Sequence, residues 1–181
     1  DDRLAERFPR ARITALSNSR TQKEYIDAEA ERRGLPNLTV ITADMNVFDT
    51  PDRFDRVVSV EMFEHMENYR ALLKKIAYWL VPGGSLFVHI FTHREFAYHY
   101  EDKGQKDWMT RYFFAGGQMP ADALLLYFQE DLVIEEHWNL SGTHYQKTAE
   151  AWLQNMDANR PEISAIFEQI YGAENVRKWW A

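Results

Sequence analysis

The chain has 181 residues, no cysteine and a formal net charge of −7, from 21 basic and 28 acidic residues. This length fits one domain with one sizeable core. The absence of cysteine excludes disulfides, thiol catalysis and cysteine-ligated zinc or iron–sulfur sites. The acidic balance argues against a general nucleic-acid binder, because an acidic surface repels phosphate backbones. No stretch reaches the roughly 20 apolar residues of a membrane span and no apolar signal region opens the chain, so we expect a cytoplasmic protein.

Strand-like and helix-like segments alternate along the first part of the chain. The predicted strands are Ile13–Leu16, Leu38–Ala43, Phe54–Val60, Ser85–Phe91 and Leu132–Trp138. A helix is predicted over Thr21–Arg33, which is rich in helix formers and stops at Gly34. An apolar stripe at helical spacing predicts another, formed by Leu72, Leu73, Ile76, Ala77 and Leu80. Strands that are spaced by helices and end in polar residues predict a parallel, doubly wound α/β sheet.

Polar residues follow the first two predicted strands, where ligands bind in an open parallel sheet. Ser17, Asn18 and Ser19 follow the first strand, and Asp44 and Met45 follow the second. Each group also has a purely structural interpretation. Ser19 and Gln22 have the spacing of a capping box, and Asp44 is able to cap the loop after its strand. The sequence leaves ligand contact and capping open for both groups.

An acidic and imidazole cluster follows the third strand. If the chain turns helical after Val60, then Glu61, Glu64 and His65 lie at i, i+3 and i+4 on one face. Two carboxylates beside an imidazole form a cluster that handles protons or binds a cation. The alternative is a solvated ion pair.

Three histidines lie in or after the fourth predicted strand. His89 is inside an apolar strand, where a hydrogen-bonded core histidine is more typical than a ligand. His89, His93 and His99 do not predict a metal site, because neither carboxylate spacing nor cysteines support one.

Several runs of residues carry a family resemblance along nearly the whole chain. They are Asn18–Lys23, Val60–Met66, Phe96–Asp102, Trp108–Gly117 and His144–Tyr145. The chain resembles the S-adenosylmethionine-dependent methyltransferases of the cyclopropane-fatty-acyl-phospholipid synthase superfamily, and within it the coclaurine N-methyltransferase-like branch. The runs Val60–Met66 and Trp108–Gly117 are the specific ones.

The resemblance implies a Rossmann-like methyltransferase fold and S-adenosyl-L-methionine as cofactor. It implies that Ser17, Asn18 and Gln22 meet the ribose and adenosine. By the same resemblance, Asp44 meets the adenine amino group, and Met45 covers the ring. Val60 lines the cofactor.

The resemblance also implies roles on the acceptor side. Glu61, Glu64 and His65 match a cluster that faces the acceptor amine and are the predicted catalytic residues. His89 matches a histidine that helps to hold bicarbonate in the lipid-cyclopropanating branch. Aromatic faces would hold a cationic product, and the candidates are Tyr98 and Phe114.

In this family a first strand with a glycine-rich loop lies at the centre of the sheet, between the strands predicted at Ile13–Leu16 and Phe54–Val60. That strand and the family's last strand are expected to be missing here, which predicts a gap in the sheet. The expected organisation is one partial domain, with a cofactor-binding core at 1–93 and an acceptor-side insertion at 94–131. The last predicted strand and the C-terminal helices would occupy 132–181.

The predicted function is therefore methyl transfer to the nitrogen of a small amine. One alternative is a cyclopropane-fatty-acyl-phospholipid synthase that acts on unsaturated lipid chains, although the sequence has no basic amphipathic face for docking on anionic lipid. The other alternative is a non-catalytic remnant domain.

Overall fold

The computed structural model describes residues 2–101, 104, 110 and 116–180, which fall into two compact units at Asp1–Ile134 and Glu135–Ala181. The helices of the first unit are α1 (Asp2–Arg7), α2 (Arg20–Arg33) and α3 (Tyr69–Trp79). Its strands are β1 (Ile13–Ser17), β2 (Leu38–Thr42), β3 (Phe54–Val60), β4 (Leu80–His89), β5 (Tyr98–His99) and β6 (Gln118–Met119). Short 3-10 turns cover Phe63–His65 and Leu124–Tyr127.

The first half of the sheet is the parallel pair β1–β2, in register from Ile13 beside Leu38 to Ser17 beside Thr42. Helix α2 connects the two strands. It begins after Ser19, whose side chain accepts a hydrogen bond from the Gln22 N–H, and ends at Gly34 with φ at 66°. A glycine adopts this left-handed conformation without a Cβ clash, so the predicted stop at Gly34 is confirmed.

The second half is the parallel pair β3–β4, which aligns Val60 with His89. The register shifts near the start of β3, opposite the Pro82-Gly83-Gly84 stretch inside β4. A Cβ on Gly84 would lie 2.9 Å from the Val81 carbonyl oxygen and 3.2 Å from that of Asp55. Only glycine therefore fits at this position, where the backbones of β3 and β4 approach closely.

The predicted gap in the sheet is confirmed. In the described part of the chain, β1 pairs only with β2 and β3 only with β4, so no strand joins β1 to β3. On β3, Val58 and Val60 are 54% and 57% exposed, although both are apolar.

The main core lies on the α3 side of the β3–β4 pair. Its buried residues are Phe63, Tyr69, Leu72, Leu73, Ile76, Trp79 and Leu80. Leu72, Leu73 and Ile76 of the predicted stripe thus face the core from α3. Leu80 is also buried but lies in β4, because the helix ends at Trp79, and Ala77 is only half-buried. Phe48 packs edge-on against Trp79, with ring centroids 5.4 Å apart, and ties the loop after β2 to α3.

The predicted strand at Leu132–Trp138 is wrong, since the segment has no regular secondary structure. Burial does alternate from Leu132 through Val133 to Ile134, as in a strand. A strand also needs a neighbour to complete its hydrogen-bond ladder, and none of the described strands pairs with this segment. The sequence patterns did not predict the short antiparallel pair β5–β6.

The second unit contains α4 (Thr143–Ala158), α5 (Arg160–Tyr171), a 3-10 turn (Ala173–Asn175) and α6 (Val176–Trp180). Pro161 lies in the first turn of α5, where its missing N–H costs no hydrogen bond. Tyr171 stacks on Trp179, with 4.2 Å between ring centroids, and so packs α6 against the end of α5. Across the described residues of the whole chain, no helix combines the length and apolar character of a membrane span.

Candidate active site

Glu61 directly follows β3 and lies beside the end of β4. Its φ is 51°, a left-handed conformation that costs a non-glycine residue about 1–3 kcal/mol. Its N–H donates to the His89 carbonyl oxygen at 3.0 Å, and its Oε1 lies 2.8 Å from His89 Nδ1. The two side chains are 40% and 49% exposed. The pair therefore stands at the carboxyl end of both strands, within reach of a ligand.

Glu64 is the buried acid of the site, with 2% of its surface exposed. Its Oε2 has no hydrogen-bond partner within the described residues. Burial raises the pKa of this carboxyl, and the charge of Glu61 raises it further. A backbone hydrogen bond and the nearby His65 and His89 oppose the shift. A buried carboxyl with a raised pKa and a free oxygen is suited to accept a proton.

The predicted helical face for Glu61, Glu64 and His65 is wrong. A left-handed residue cannot begin a right-handed helix, and only Phe63–His65 form a turn after Glu61. Glu64 is therefore buried while Glu61 and His65 are exposed. The three groups still interact electrostatically around Glu64, and His89 joins them.

The turn that carries Glu64 rests on the core. Phe63 is 0% exposed and stacks on Tyr69, with ring centroids 5.7 Å apart. The Tyr69 hydroxyl donates to the Phe63 carbonyl oxygen at 3.0 Å. Burial raises the pKa of Tyr69 to about 12, and the charge of Glu64 contributes, so this phenol stays protonated and keeps its donor.

Tyr98, a predicted acceptor-side residue, lies in β5 and is 47% exposed. Its ring centroid is 6.2 Å from that of His93 and 6.0 Å from that of Tyr100. Burial raises the pKa of Tyr100, with smaller contributions from Tyr98 and Glu64. Tyr100 therefore interacts electrostatically with the Glu64 carboxyl, and Tyr98 contacts the ring of Tyr100. The other predicted aromatic residue, Phe114, lies outside the described residues.

Ser17 is the last residue of β1, Asn18 follows the strand, and Gln22 lies in the first turn of α2. The Ser17 hydroxyl donates to Gln22 Oε1 at 2.7 Å and accepts from the Ser19 N–H at 3.1 Å. Ser19 is the helix cap, but Gln22 bonds to Ser17 instead of returning to Ser19. The capping interpretation therefore holds for Ser19. Asn18 and Gln22 are exposed, and their ligand contact stays a prediction.

Asp44 caps the loop after β2. Its Oδ1 accepts from the backbone N–H of Asn46 at 2.8 Å and from the Asn46 side-chain amide at 3.0 Å. Lys75 on α3 donates to the carbonyl oxygens of Met45 and Asn46, at 3.2 and 3.0 Å. The loop is thus held in place, with the Asp44 side chain exposed and Met45 at the margin of the core.

Tyr100 and Gln118 are the site residues that the sequence reasoning missed. Tyr100 lies two residues after Tyr98, inside the run Phe96–Asp102 that carries the family resemblance, and that position was an available signal. Gln118 had no comparable signal, because its partners are far away in sequence. Among the described residues, no group of three His, Cys, Asp or Glu side chains is arranged to hold a metal ion.

Known proteins resemble this chain over most of its length. (S)-Coclaurine N-methyltransferase of Thalictrum flavum subsp. glaucum is 44% identical over 171 residues, which cover 93% of this chain and 47% of that protein. The Papaver somniferum enzyme of the same name is 41% identical over 172 residues, which cover 94% of this chain and 49% of that protein. The chain thus spans about half the length of the curated relatives it matches.

A solved structure and a family match agree with these relatives. A coclaurine N-methyltransferase bound to N-methylheliamine and SAH superposes with a TM-score of 0.89 at 41% identity, covering 96% of this chain and 52% of that one. The fold is therefore the Rossmann-like methyltransferase fold. The family described as mycolic acid cyclopropane synthetase matches residues 3–180. The chain belongs to the mycolic acid cyclopropane synthetase family.

Proposed function

We propose that this chain is part of an S-adenosylmethionine-dependent methyltransferase that methylates the nitrogen of a small amine. The observation that carries the proposal is the buried Glu64 carboxyl, whose Oε2 lacks a partner in the described structure and lies among Glu61, His65 and His89. The 44% identity to a coclaurine N-methyltransferase supports the same reaction.

The residues after β1 and β2 suit the proposed cofactor. Asp44 offers an exposed carboxylate oxygen to an amino group, and half-buried Met45 offers an apolar surface beside it. Val60 adds a second apolar side chain, exposed at the end of β3. Hydroxyl and amide groups of Ser17, Asn18 and Gln22 suit the ribose. When bound, the cofactor supplies a methyl group on a sulfonium, whose C–S bond breaks as the N–C bond forms.

The acidic residues would prepare the acceptor and receive its proton. An amine attacks through its lone pair, so it must be neutral at the moment of transfer. A secondary amine that gains a methyl group becomes a cation and then loses its N–H proton. Glu64 accepts that proton, with His65 as the exposed group that passes it to solvent. Glu61 attracts the ammonium form of the acceptor, and Tyr98 adds an aromatic face for the same charge.

The Glu61–His89 pair favours an amine over a lipid acceptor. Glu61 Oε1 occupies the Nδ1 side of His89 at 2.8 Å, so that nitrogen already has an acidic partner. With Glu64 close by, the site carries two carboxyl groups and attracts a cation more than an anion such as bicarbonate. Cyclopropanation would need the anion.

The test uses a chimera, in which this chain replaces the segment of the Thalictrum flavum enzyme that it matches. Methyl transfer from labelled S-adenosylmethionine is measured with a panel of secondary amines and with an unsaturated phospholipid. We expect amine turnover that Glu64→Gln and His65→Ala each lower by roughly 100-fold or more, the scale of lost general-base help. Raising the pH should partly rescue His65→Ala, because it deprotonates the amine in solution.

The matched control is Glu67→Gln, which changes an exposed acid in the same segment and should leave the rate unchanged. Turnover of the lipid without any amine would overturn the proposal in favour of a cyclopropane synthase. Absence of cofactor binding in the chimera would favour a non-catalytic domain.

A further inference from the structure

Gln118 is a buried polar side chain outside the groups named in the proposed chemistry. It is 8% exposed and lies in β6, opposite His99 of β5. A further backbone hydrogen bond, from the Tyr100 N–H to the Gly117 carbonyl oxygen at 3.1 Å, extends this pairing. Gln118 thus belongs to the same short sheet as Tyr98, the sheet that leads directly to Tyr100.

The amide of Gln118 reaches out of that sheet to the turn that carries Glu64. Its Nε2 donates to the Met66 carbonyl oxygen at 2.6 Å, across 52 residues of sequence. The same side chain also opposes the rise in the pKa of the Tyr69 phenol, which donates to the Phe63 carbonyl oxygen at 3.0 Å. Two buried side chains therefore hold the carbonyl groups on either side of Glu64 and His65: Tyr69 bonds that of Phe63, and Gln118 bonds that of Met66.

This arrangement links the position of Glu64 to the acceptor side of the site. A three-residue 3-10 turn has weak internal hydrogen bonding, so its geometry depends on outside partners. If the Gln118 amide is removed, the Met66 carbonyl loses a buried donor and β6 loses its polar tie to the turn. The Glu64 carboxyl would then gain access to water and lose its alignment.

We propose that Gln118 is a positioning residue, which ties the β5–β6 sheet to the Phe63–His65 turn and so keeps the Glu64 carboxyl buried and aligned for proton transfer. The role of Gln118 in proton transfer rests on the proposed function. Its effect on the burial and pKa of the Glu64 carboxyl does not.

The first experiment follows the titration of the Glu64 carboxyl by carbon-13 NMR in this chain, with the signal identified by its loss in Glu64→Gln. Gln118→Leu keeps the approximate shape of the side chain and removes the amide. We expect the pKa of Glu64 to fall towards its ordinary value, because burial is the main cause of its rise. The matched control, Gln146→Leu, makes the same change at an exposed position of α4 and should leave the titration unchanged.

The second experiment measures methyl transfer in the chimera. We expect Gln118→Leu to lower kcat by about 10- to 100-fold, as for a misplaced catalytic group, and to move the acidic limb of the kcat profile to lower pH. KM for S-adenosylmethionine should stay within about twofold, because Gln118 lies on the acceptor side. Tyr69→Phe removes the next hydrogen bond of the same network and should act in the same direction, without adding fully to Gln118→Leu.

A Glu64 titration that is the same in Gln118→Leu and Gln146→Leu would overturn the inference, whatever the activity. If Gln118→Leu fails to fold, Tyr69→Phe and the shorter amide of Gln118→Asn decide the question by the same titration. An inactive chimera with a shifted Glu64 titration would contradict the proposed function and support the positioning role.

Discussion

The two strand pairs, β1–β2 and β3–β4, differ in the size of the apolar side chains that are buried around them. Around β1, β2 and α2 the buried side chains are small, namely Ala5, Ala15, Ala30 and Val40. Around β3, β4 and α3 they are large, and four of them are Phe63, Tyr69, Ile76 and Trp79. The first half presents exposed polar groups suited to a cofactor, and the second presents a buried carboxyl suited to proton transfer.

The hydrogen bonds that hold the two sites differ in range. Ser17 bonds Gln22 and Asp44 bonds Asn46, so these polar side chains bond to neighbours within five residues. Lys75 of α3 adds a distant hold, but only on the backbone of the loop after β2. The Glu64 turn is fixed by Tyr69 and by Gln118, the latter 52 residues away from its partner Met66. The exposed polar side chains thus rest on local bonds, whereas the buried acid also has support from a distant part of the chain.

The largest expected effect tests the difference in core size. Ile76 is 1% exposed, and Ile76→Ala should lower the free energy of unfolding by about 2–5 kcal/mol, measured by urea denaturation of this chain. Ala30→Gly in the first half should cost only about 1 kcal/mol, mostly from helix propensity. Val58→Ala, at a 54% exposed position, is the control and should stay within about 0.5 kcal/mol. Equal losses for Ile76→Ala and Ala30→Gly would contradict a core centred on α3.

The next effect concerns the cofactor side. In the chimera, Asp44→Ala should weaken S-adenosylmethionine binding by about 1–3 kcal/mol, the cost of leaving a hydrogen-bonded partner unpaired. Calorimetric titration measures it. Asp52→Ala removes an exposed acid from the same loop and serves as the control. Unchanged affinity in Asp44→Ala would mean that Asp44 acts only through its two hydrogen bonds with Asn46.

The charge on the buried Glu64 carboxyl should lower the free energy of unfolding at neutral pH. Burial raises its pKa above the ordinary value of 4.5, so the folded state holds the proton more tightly than the unfolded state. The resulting stability is fully present below pH 4.5 and is lost as the pH rises through the raised pKa. At pH 7, Glu64→Gln should therefore raise the free energy of unfolding by about 1 kcal/mol, because it removes a buried charge with a free oxygen.

Urea denaturation at several pH values checks this expectation. The gain from Glu64→Gln should shrink as the pH falls towards 4.5, where the wild-type carboxyl takes up its proton. Glu67→Gln, at an exposed position, should show no such pH dependence. A gain that is constant across the pH range would show that the charge of Glu64 is not its cause.

The sequence predicted the local features of both halves. β1, β2 and β3, helices α2 and α3, and the stop at Gly34 all follow from periodicity and from cap residues close by. The unpaired edges of β1 and β3 followed from the family's strand order. These features depend on neighbouring residues or on a known topology, which is why the sequence alone predicted them.

The predictions that were wrong or missing concern features that depend on residues far away in sequence. Leu132–Trp138 alternates like a strand but has no paired neighbour in the described structure, and no local pattern contains that information. The left-handed φ of Glu61 arises where β3 and β4 end together, and it redirects the chain before Glu64. The tie between Gln118 and Met66 joins segments that only the fold brings together. Burial of Glu64, the central property of the site, therefore needed the structure.

The smallest expected effect compares the helix caps of the two halves. Ser19 caps α2 through a bond of 3.3 Å to the Gln22 N–H, and Asn68 caps α3 through a bond of 3.0 Å to the Ala71 N–H. Ser19→Ala should cost about 0.5 kcal/mol and Asn68→Ala about 1 kcal/mol, measured by thermal unfolding, because the longer bond is weaker. Ser19→Asp keeps a capping oxygen and should restore the stability that Ser19→Ala loses.

The reason for expecting a larger loss at Asn68 goes beyond bond length. Helix α3 carries the buried residues of the core, so fraying of its first turn also loosens Tyr69 at the start of that helix. Tyr69 supports the Glu64 turn, and Asn68→Ala should therefore also shift the titration of Glu64 towards its ordinary value. Ser19→Ala should leave that titration unchanged, since α2 lies in the other half. If both cap variants shift it alike, the two halves of the sheet are coupled more tightly than their separate hydrogen bonds indicate.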